Sequence, residues 1–174
     1  MRIGYAILLA FGSAAAAPRL PAQGTPVPGE ACIVERIVDG DTFYCRDGLK
    51  VRMTGIDSPE HGQGTPFSAA RGGLLALMPV GHRVILERDV ELSDRYGRRL
   101  AYVWDGNVLI NERMVRGGWA VAYTVPPNVK YAERFLAAEA VARKGQAGLW
   151  ASDGFACPPH DYRAGECGKQ SGNQ

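Results

Sequence analysis

Residues 33–56 read IVERIVDGDTFYCRDGLKVRMTGI, and the fold follows from how this stretch divides. Ile33 to Val38, Thr42 to Cys45 and Lys50 to Ile56 are short runs of β-type residues. Asp39-Gly40 separates the first two runs and Asp47-Gly48 the last two. Asp-Gly between such runs is a strong hairpin signal, since Gly and Asp accept the positive φ of a tight turn. The stretch predicts a three-strand meander.

Further along, Thr65 reads as the N-cap of a helix with Pro66 at its first position and Pro79 as its stop. Phe67, Ala70, Leu74, Leu77 and Met78 form its apolar stripe. A strand over residues 84–92 would set Val84, Leu86, Val90 and Leu92 on one face and Glu87, Asp89 and Glu91 on the other. Residues 100–104 and 108–110 flank Asp105-Gly106 as another hairpin, and a short helix over 111–116 is closed by Gly117-Gly118. Asn128 is read as the cap of a last helix running to Lys144, with Val129, Ala132, Leu136 and Ala140 at helical spacing and Gly145 as its stop. Strands and helices mix without a βαβ rhythm. The expected class is α+β: a five-stranded OB-fold barrel with about three helices packed against it.

A chain of 174 residues holds one domain with a real core. At 46% hydrophobic and 22% charged it is not a largely disordered protein. The net charge of +2 gives no global field for a polyanion, so contacts to nucleic acid would have to be concentrated in a few arginines. At the N-terminus Arg2, the apolar run Ile3 to Phe11 and the small residues Ser13 to Ala17 read as a signal peptide over 1–17. A membrane anchor is the other reading, but the run is shorter than the roughly 20 residues a spanning helix needs. The mature chain is expected to be secreted or periplasmic, outside the membrane and monomeric. A linker over 18–30 precedes a domain over 31–151, and the polar tail over 152–174 is expected to be loose apart from a disulfide. The cysteines suggest bonds from Cys32 to Cys45, across the hairpin, and from Cys157 to Cys167. A zinc site of Cys157, His160 and Cys167 is the alternative, and it lacks a fourth ligand.

Chemistry concentrates in two segments. One runs Val38-Asp39-Gly40-Asp41-Thr42, then Arg52, then Ile56-Asp57-Ser58-Pro59-Glu60; the other is Asp94-Arg95-Tyr96-Gly97-Arg98. Asp39 and Asp47 are accounted for by turn chemistry. Asp57, Ser58 and Glu60 follow a strand on a loop stiffened by Pro59, with Asp41 at the head of a neighbouring strand. Such oxygens suit a hard cation, though spacing alone leaves metal binding and turn chemistry both open. Nor does strand parity show that Arg52 and Asp57 converge. His61 reads either as a second base or as a solvated loop histidine.

The Val-Asp-Gly-Asp-Thr turn, Arg52 five residues before Asp57-Ser-Pro-Glu60, Asp94-Arg-Tyr-Gly-Arg98 with Leu-Ala-Tyr, Asn111-Glu112 and Gly148-Leu149-Trp150 together resemble the staphylococcal nuclease, or thermonuclease, family. The resemblance implies an OB-fold nuclease that hydrolyses DNA and RNA with Ca²⁺ and leaves 3′-phosphate ends. Carried over residue by residue, it implies Asp41 and Asp57 as the calcium carboxylates and Ser58 as a carbonyl ligand. It implies Glu60 as general base or water-orienting group, and Arg52 and Arg98 as the pair gripping the phosphate. Tyr96 corresponds to a wall of the nucleotide pocket, and Tyr123 to another once a one-residue gap is allowed. The competing reading is a non-catalytic OB-fold nucleic-acid-binding module, which would dispense with the carboxylates. A calcium-stabilised structural domain would explain the carboxylates but not the arginines.

Overall fold

The computed structural model describes residues 28–167; the leader expected over 1–17, most of the linker and residues 168–174 lie outside the described residues. The meander forms as expected, from β1 (Glu30–Ile37), β2 (Thr42–Cys45) and β3 (Lys50–Met53), with Thr42 paired to Arg52. After Gly55 comes a two-residue strand, β4 (Ile56–Asp57), and then helix α1 (Thr65–Leu77). β5 (Arg83–Glu87) pairs antiparallel with β1, and β6 (Arg99–Asp105) antiparallel with β5. β6 then runs parallel to β3, Arg52 opposite Leu100, and this pairing closes a five-stranded barrel of β1, β2, β3, β6 and β5. The rest is β7 (Val108–Leu109), α2 (Ile110–Arg116), β8 (Val121–Ala122), α3 (Ala132–Lys144) and α4 (Pro159–Ala164). The α+β barrel class is the observed one.

The core fills the barrel and the seam under the helices: Val34, Phe43, Val51, Met53, Leu74, Val103, Met114 and Phe135 are fully buried. Cys32 bonds Cys45 within this core and Cys157 bonds Cys167 outside it, with Cα atoms 5.5 and 5.6 Å apart, so the pairing follows the expected neighbours and leaves no zinc thiolates.

Four local expectations are corrected. The first helix takes Gly64, not Thr65, in the cap position, although Ala70, Leu74 and Met78 do face the core. The strand expected to reach residue 92 ends at Glu87; beyond it Val90 is 66% exposed. The alternation continues, but among the described residues no strand ladder does; β6 meets the segment again only at Leu92 and Ser93. Glu87 is buried on the barrel's outer face, because Trp104 Nε1 donates to it at 2.7 Å, Tyr131 Oη at 2.9 Å, and Lys130 pairs with it. In α3 the buried stripe is Phe135, Ala138 and Ala142, while Leu136 is 60% exposed. A phase counted from Asn128 missed it, since Asn128 is not the cap: its amide exchanges two hydrogen bonds with the Glu91 backbone, at 2.8 and 3.0 Å. Finally, the tail expected to be loose carries α4, and Phe155 packs on Trp150 with ring centroids 4.5 Å apart.

Candidate active site

The site begins at the first Asp-Gly turn. Asp39 Oδ1 accepts from the Asp41 N–H at 2.9 Å, the side-chain turn expected of it, and Asp47 does the same for Leu49 at 3.1 Å. This holds Asp41 at the head of β2, where it is only 5% exposed. Its Oδ2 accepts from the Ser58 N–H at 2.7 Å and its Oδ1 from the Thr42 hydroxyl at 3.0 Å. The two loops meet closely because residue 40 is Gly: a Cβ there would lie 2.7 Å from Ser58 Cβ and 2.9 Å from Ala70 Cβ. Gly40→Ala should therefore lower stability by about 1–3 kcal/mol, the usual cost of forcing extra volume into a packed contact. Urea unfolding checks this, and an unchanged midpoint would mean that the two loops separate freely.

Arg52 and Asp57 do converge, through a path that strand parity could not show. Gly55 turns the chain at φ +80°, in space that a side chain would share with Phe135. β4 then pairs with β8, Asp57 opposite Val121, which swings Asp57 back over β3. Arg52 Nη2 reaches Asp57 Oδ1 at 3.1 Å and its Nε lies 3.2 Å from Asp41 Oδ1. Asn111, fully buried, braces this corner by donating to the Thr54 carbonyl at 2.8 Å and accepting from the Val103 N–H at 2.8 Å. The β8 pairing also delivers Tyr123, whose N–H bonds the Gly55 carbonyl at 2.9 Å.

Asp57 and Ser58, expected on a loop that follows a strand, are both buried, and Asp57 is only 1% exposed. Burial pushes the Asp57 carboxyl up, with Asp41 adding to the rise and Arg163 and Arg52 opposing it. The Asp39 carboxyl is pushed up to about 7, foremost by burial and then by the neighbouring Asp41. Packing anions this densely is costly unless cations meet them. Here the cations are guanidiniums.

Glu60 sits at the rim, its loop held where the Gln63 side chain accepts from the Glu60 N–H at 2.8 Å. His61 next to it is exposed and meets Phe67 edge-on at 5.1 Å. On the far wall, Asp94 organises a tight turn by accepting from the N–H groups of Tyr96 and Arg98 at 2.9 and 3.0 Å. It also binds Arg98 Nε at 2.6 Å, so the terminal nitrogens of the Arg98 fork are left for the cleft. Burial raises the Asp94 carboxyl, but the bonds from Arg98 and this backbone outweigh it and hold it below its usual value. Tyr96 is exposed beside the turn, its ring centre 5.5 Å from Arg98 Cζ.

Asp41, Arg52, Asp57, Ser58, Glu60, Tyr96, Arg98 and Tyr123 thus all line one cleft of ≈ 630 Å³. Sequence reasoning missed a further side chain that lines this cleft. Arg163, on α4, donates to Asp57 Oδ1 at 3.0 Å and Oδ2 at 2.8 Å, and to Glu60 Oε1 at 2.5 Å. These bonds, Asp57's foremost, raise its already high pKa. The available signal was Pro158-Pro159 inside a ring closed by Cys157 and Cys167, which makes a rigid loop rather than a loose one. The role of Asp94 in aiming Arg98 was missed as well.

The family described as staphylococcal nuclease homologue matches residues 50–152, so Asp41 lies outside the matched span and its place in the site rests on the bond to Ser58. A thermonuclease of Staphylococcus intermedius is 38% identical over 135 residues, covering 74% of this chain and 80% of that protein. A thermonuclease of Staphylococcus hyicus is 36% identical over 126 residues, 68% of this chain and 75% of that protein. Endonuclease YhcR of Bacillus subtilis is 32% identical over 156 residues, which is 79% of this chain but only 13% of that protein.

Proposed function

The chain belongs to the staphylococcal nuclease family, and from that premise we propose that it is an exported, Ca²⁺-dependent nuclease that hydrolyses phosphodiester bonds of DNA and RNA and leaves 3′-phosphate ends. One observation carries the reading: buried carboxylates, the Arg52 and Arg98 guanidiniums and Glu60 face a single cleft. Acidic residues that were there for turns alone would not be gathered opposite a pair of arginines.

The donor set fits a hard cation. Asp41, Asp57 and the Ser58 carbonyl are all oxygen donors, and calcium takes about six to eight such ligands. Among the described residues no three His, Cys, Asp or Glu side chains converge on one point, so the remaining ligands would be water and substrate oxygens. When bound there, calcium would supply charge neutralisation at the phosphate. The chain's own groups do the rest. Arg52 and Arg98 offer planar forks to the equatorial oxygens, where negative charge grows as water adds to phosphorus. Glu60 takes or orients the proton of that water. The new P–O bond forms as the bond to the 5′ oxygen breaks, giving a 3′-phosphate and a 5′-hydroxyl. Tyr96 and Tyr123 present aromatic faces on which the nucleotide can stack.

Export is supported by two disulfides and by the lack of any free cysteine among the described residues. No described helix is long and apolar enough to cross a membrane.

The reading is tested with plasmid DNA and with RNA, each incubated in calcium and the ends then analysed. Both should be cut, and treating the fragments with phosphatase should be required before their 3′ ends can be extended. Fragments with free 3′-hydroxyls, or no cutting of either polymer, would overturn it.

A further inference from the structure

We propose that the tail helix α4 is a strap that seats Arg163 in the place of the divalent cation, so that strap and cation compete for Asp57. This rests on the reading of Asp41 and Asp57 as cation ligands. The geometry is specific. The Arg163 fork covers both oxygens of Asp57, at 3.0 and 2.8 Å, while Arg52 shares Oδ1 at 3.1 Å. A cation ligated by Asp57 needs an oxygen that the Arg163 fork now covers, whereas Arg52 touches Oδ1 alone, so it is Arg163 and the ion that compete for this carboxylate. The same fork binds Glu60 Oε1 at 2.5 Å, which occupies the carboxylate that would handle the attacking water. Arg163 therefore engages two functional groups at once. Displacing it frees both.

The strap is docked by contacts that belong to this tail. The Cys157–Cys167 bond closes the ring that carries α4. Gln63, which holds the Glu60 loop, donates its amide to the Cys157 carbonyl at 2.8 Å. Tyr162 lies over Gly62, where a Cβ would sit 1.9 Å from its hydroxyl. His160 stacks on Tyr123 with ring centres 5.6 Å apart, so a nucleotide wall is engaged too. Within α4 only Pro159 is buried, and the Arg163 side chain is 41% exposed. The strap can thus swing outward while Pro159 and the disulfide keep it close. The consequence is a site held shut by an internal cation where calcium is scarce and opened where calcium is abundant.

The test is calorimetric titration of the mature protein with calcium alone, using wild type, Arg163→Ala, Arg163→Gln, Cys157→Ser/Cys167→Ser and Asp57→Asn. Both Arg163 variants should bind calcium more tightly, by about 5–150-fold, the usual range for coupling between two linked sites. The double cysteine variant should shift the same way by less. Without calcium the Arg163 variants should melt below wild type, and saturating calcium should close that gap. Equal or weaker calcium affinity in the Arg163 variants, with binding abolished in Asp57→Asn, would overturn the strap and leave the cation site standing. Calcium binding by none of the proteins would overturn both. Failure of both Arg163 variants to fold would make the contact structural and overturn the strap.

Discussion

Arg98→Lys is expected to lower kcat on a short oligonucleotide by about 10²–10⁴-fold, the range between loss of one preorganised donor and loss of a transition-state arginine. Substrate affinity should fall far less. Asp94 grips Arg98 at Nε, and this fixes the plane in which the two terminal nitrogens meet the cleft. Lysine keeps the charge, but it offers one compact ammonium on a flexible stem. The ground-state diester carries a single charge that lysine can still meet. The developing transition state spreads charge over several oxygens, and only the fork matches that geometry. A non-catalytic binding module makes the opposite demand: no turnover to lose, and affinity that follows charge and salt. Arg52→Lys should behave similarly, with an added cost, because Arg52 also bridges Asp41 and Asp57 at 3.2 and 3.1 Å.

Asp57→Asn is expected to abolish detectable calcium binding and to reduce cleavage by about 10³-fold or more, since a metal's neutralisation of the phosphate supplies several kcal/mol and each 1.36 kcal/mol is about tenfold. Asparagine preserves shape but offers one neutral oxygen in place of an anionic pair. The variant should still fold, because burial already disfavours the charged carboxyl at this position. Its melting temperature should fall, as Arg52 and Arg163 both lose their buried partner. Circular dichroism and calcium calorimetry on the same preparation separate loss of the site from loss of the fold.

How far the sequence went is clearest at particular residues. The Asp39-Gly40 and Asp47-Gly48 turns were legible as Asp-Gly pairs between β-type runs, although only Gly48 takes the positive φ of a tight turn, while Gly40 is required for close approach to Ser58 and Ala70. The barrel strands were legible up to the point where alternation no longer meant pairing. Residues 88–92 alternate like a strand, yet they form no strand ladder: the Glu91 backbone is met by the Asn128 side chain instead, and a sequence pattern does not say whether a partner strand exists. The phase of α3 was misjudged for a related reason. Asn128 is a good cap residue in general, but here its amide closes a distant loop at Glu91.

The site divides the same way. Asp41, Arg52, Asp57, Glu60, Tyr96 and Arg98 stood in motifs that resemble those of a known family, and all of them line the cleft. What brings Arg52 to Asp57 is non-local: a Gly turn at residue 55 and the pairing of Asp57 with Val121. The Pro158-Pro159 pair and the cysteine ring could have signalled a rigid tail, but not that Arg163 reaches Asp57. A six-residue helix has no periodicity to read, and a contact across 106 residues leaves no spacing rule behind it.

The most direct measurement is turnover of one defined oligonucleotide by wild type, Asp41→Asn and Asp57→Asn, each in calcium and then in excess chelator. Wild type should cut in calcium and stop in chelator, with activity returning when calcium is restored. Both variants should be nearly inactive under either condition, because the buried carboxylates at 41 and 57 are the proposed cation ligands. Cleavage by wild type that persists in chelator, or near-wild-type turnover in both variants, would contradict a calcium-dependent phosphodiesterase centre in this cleft.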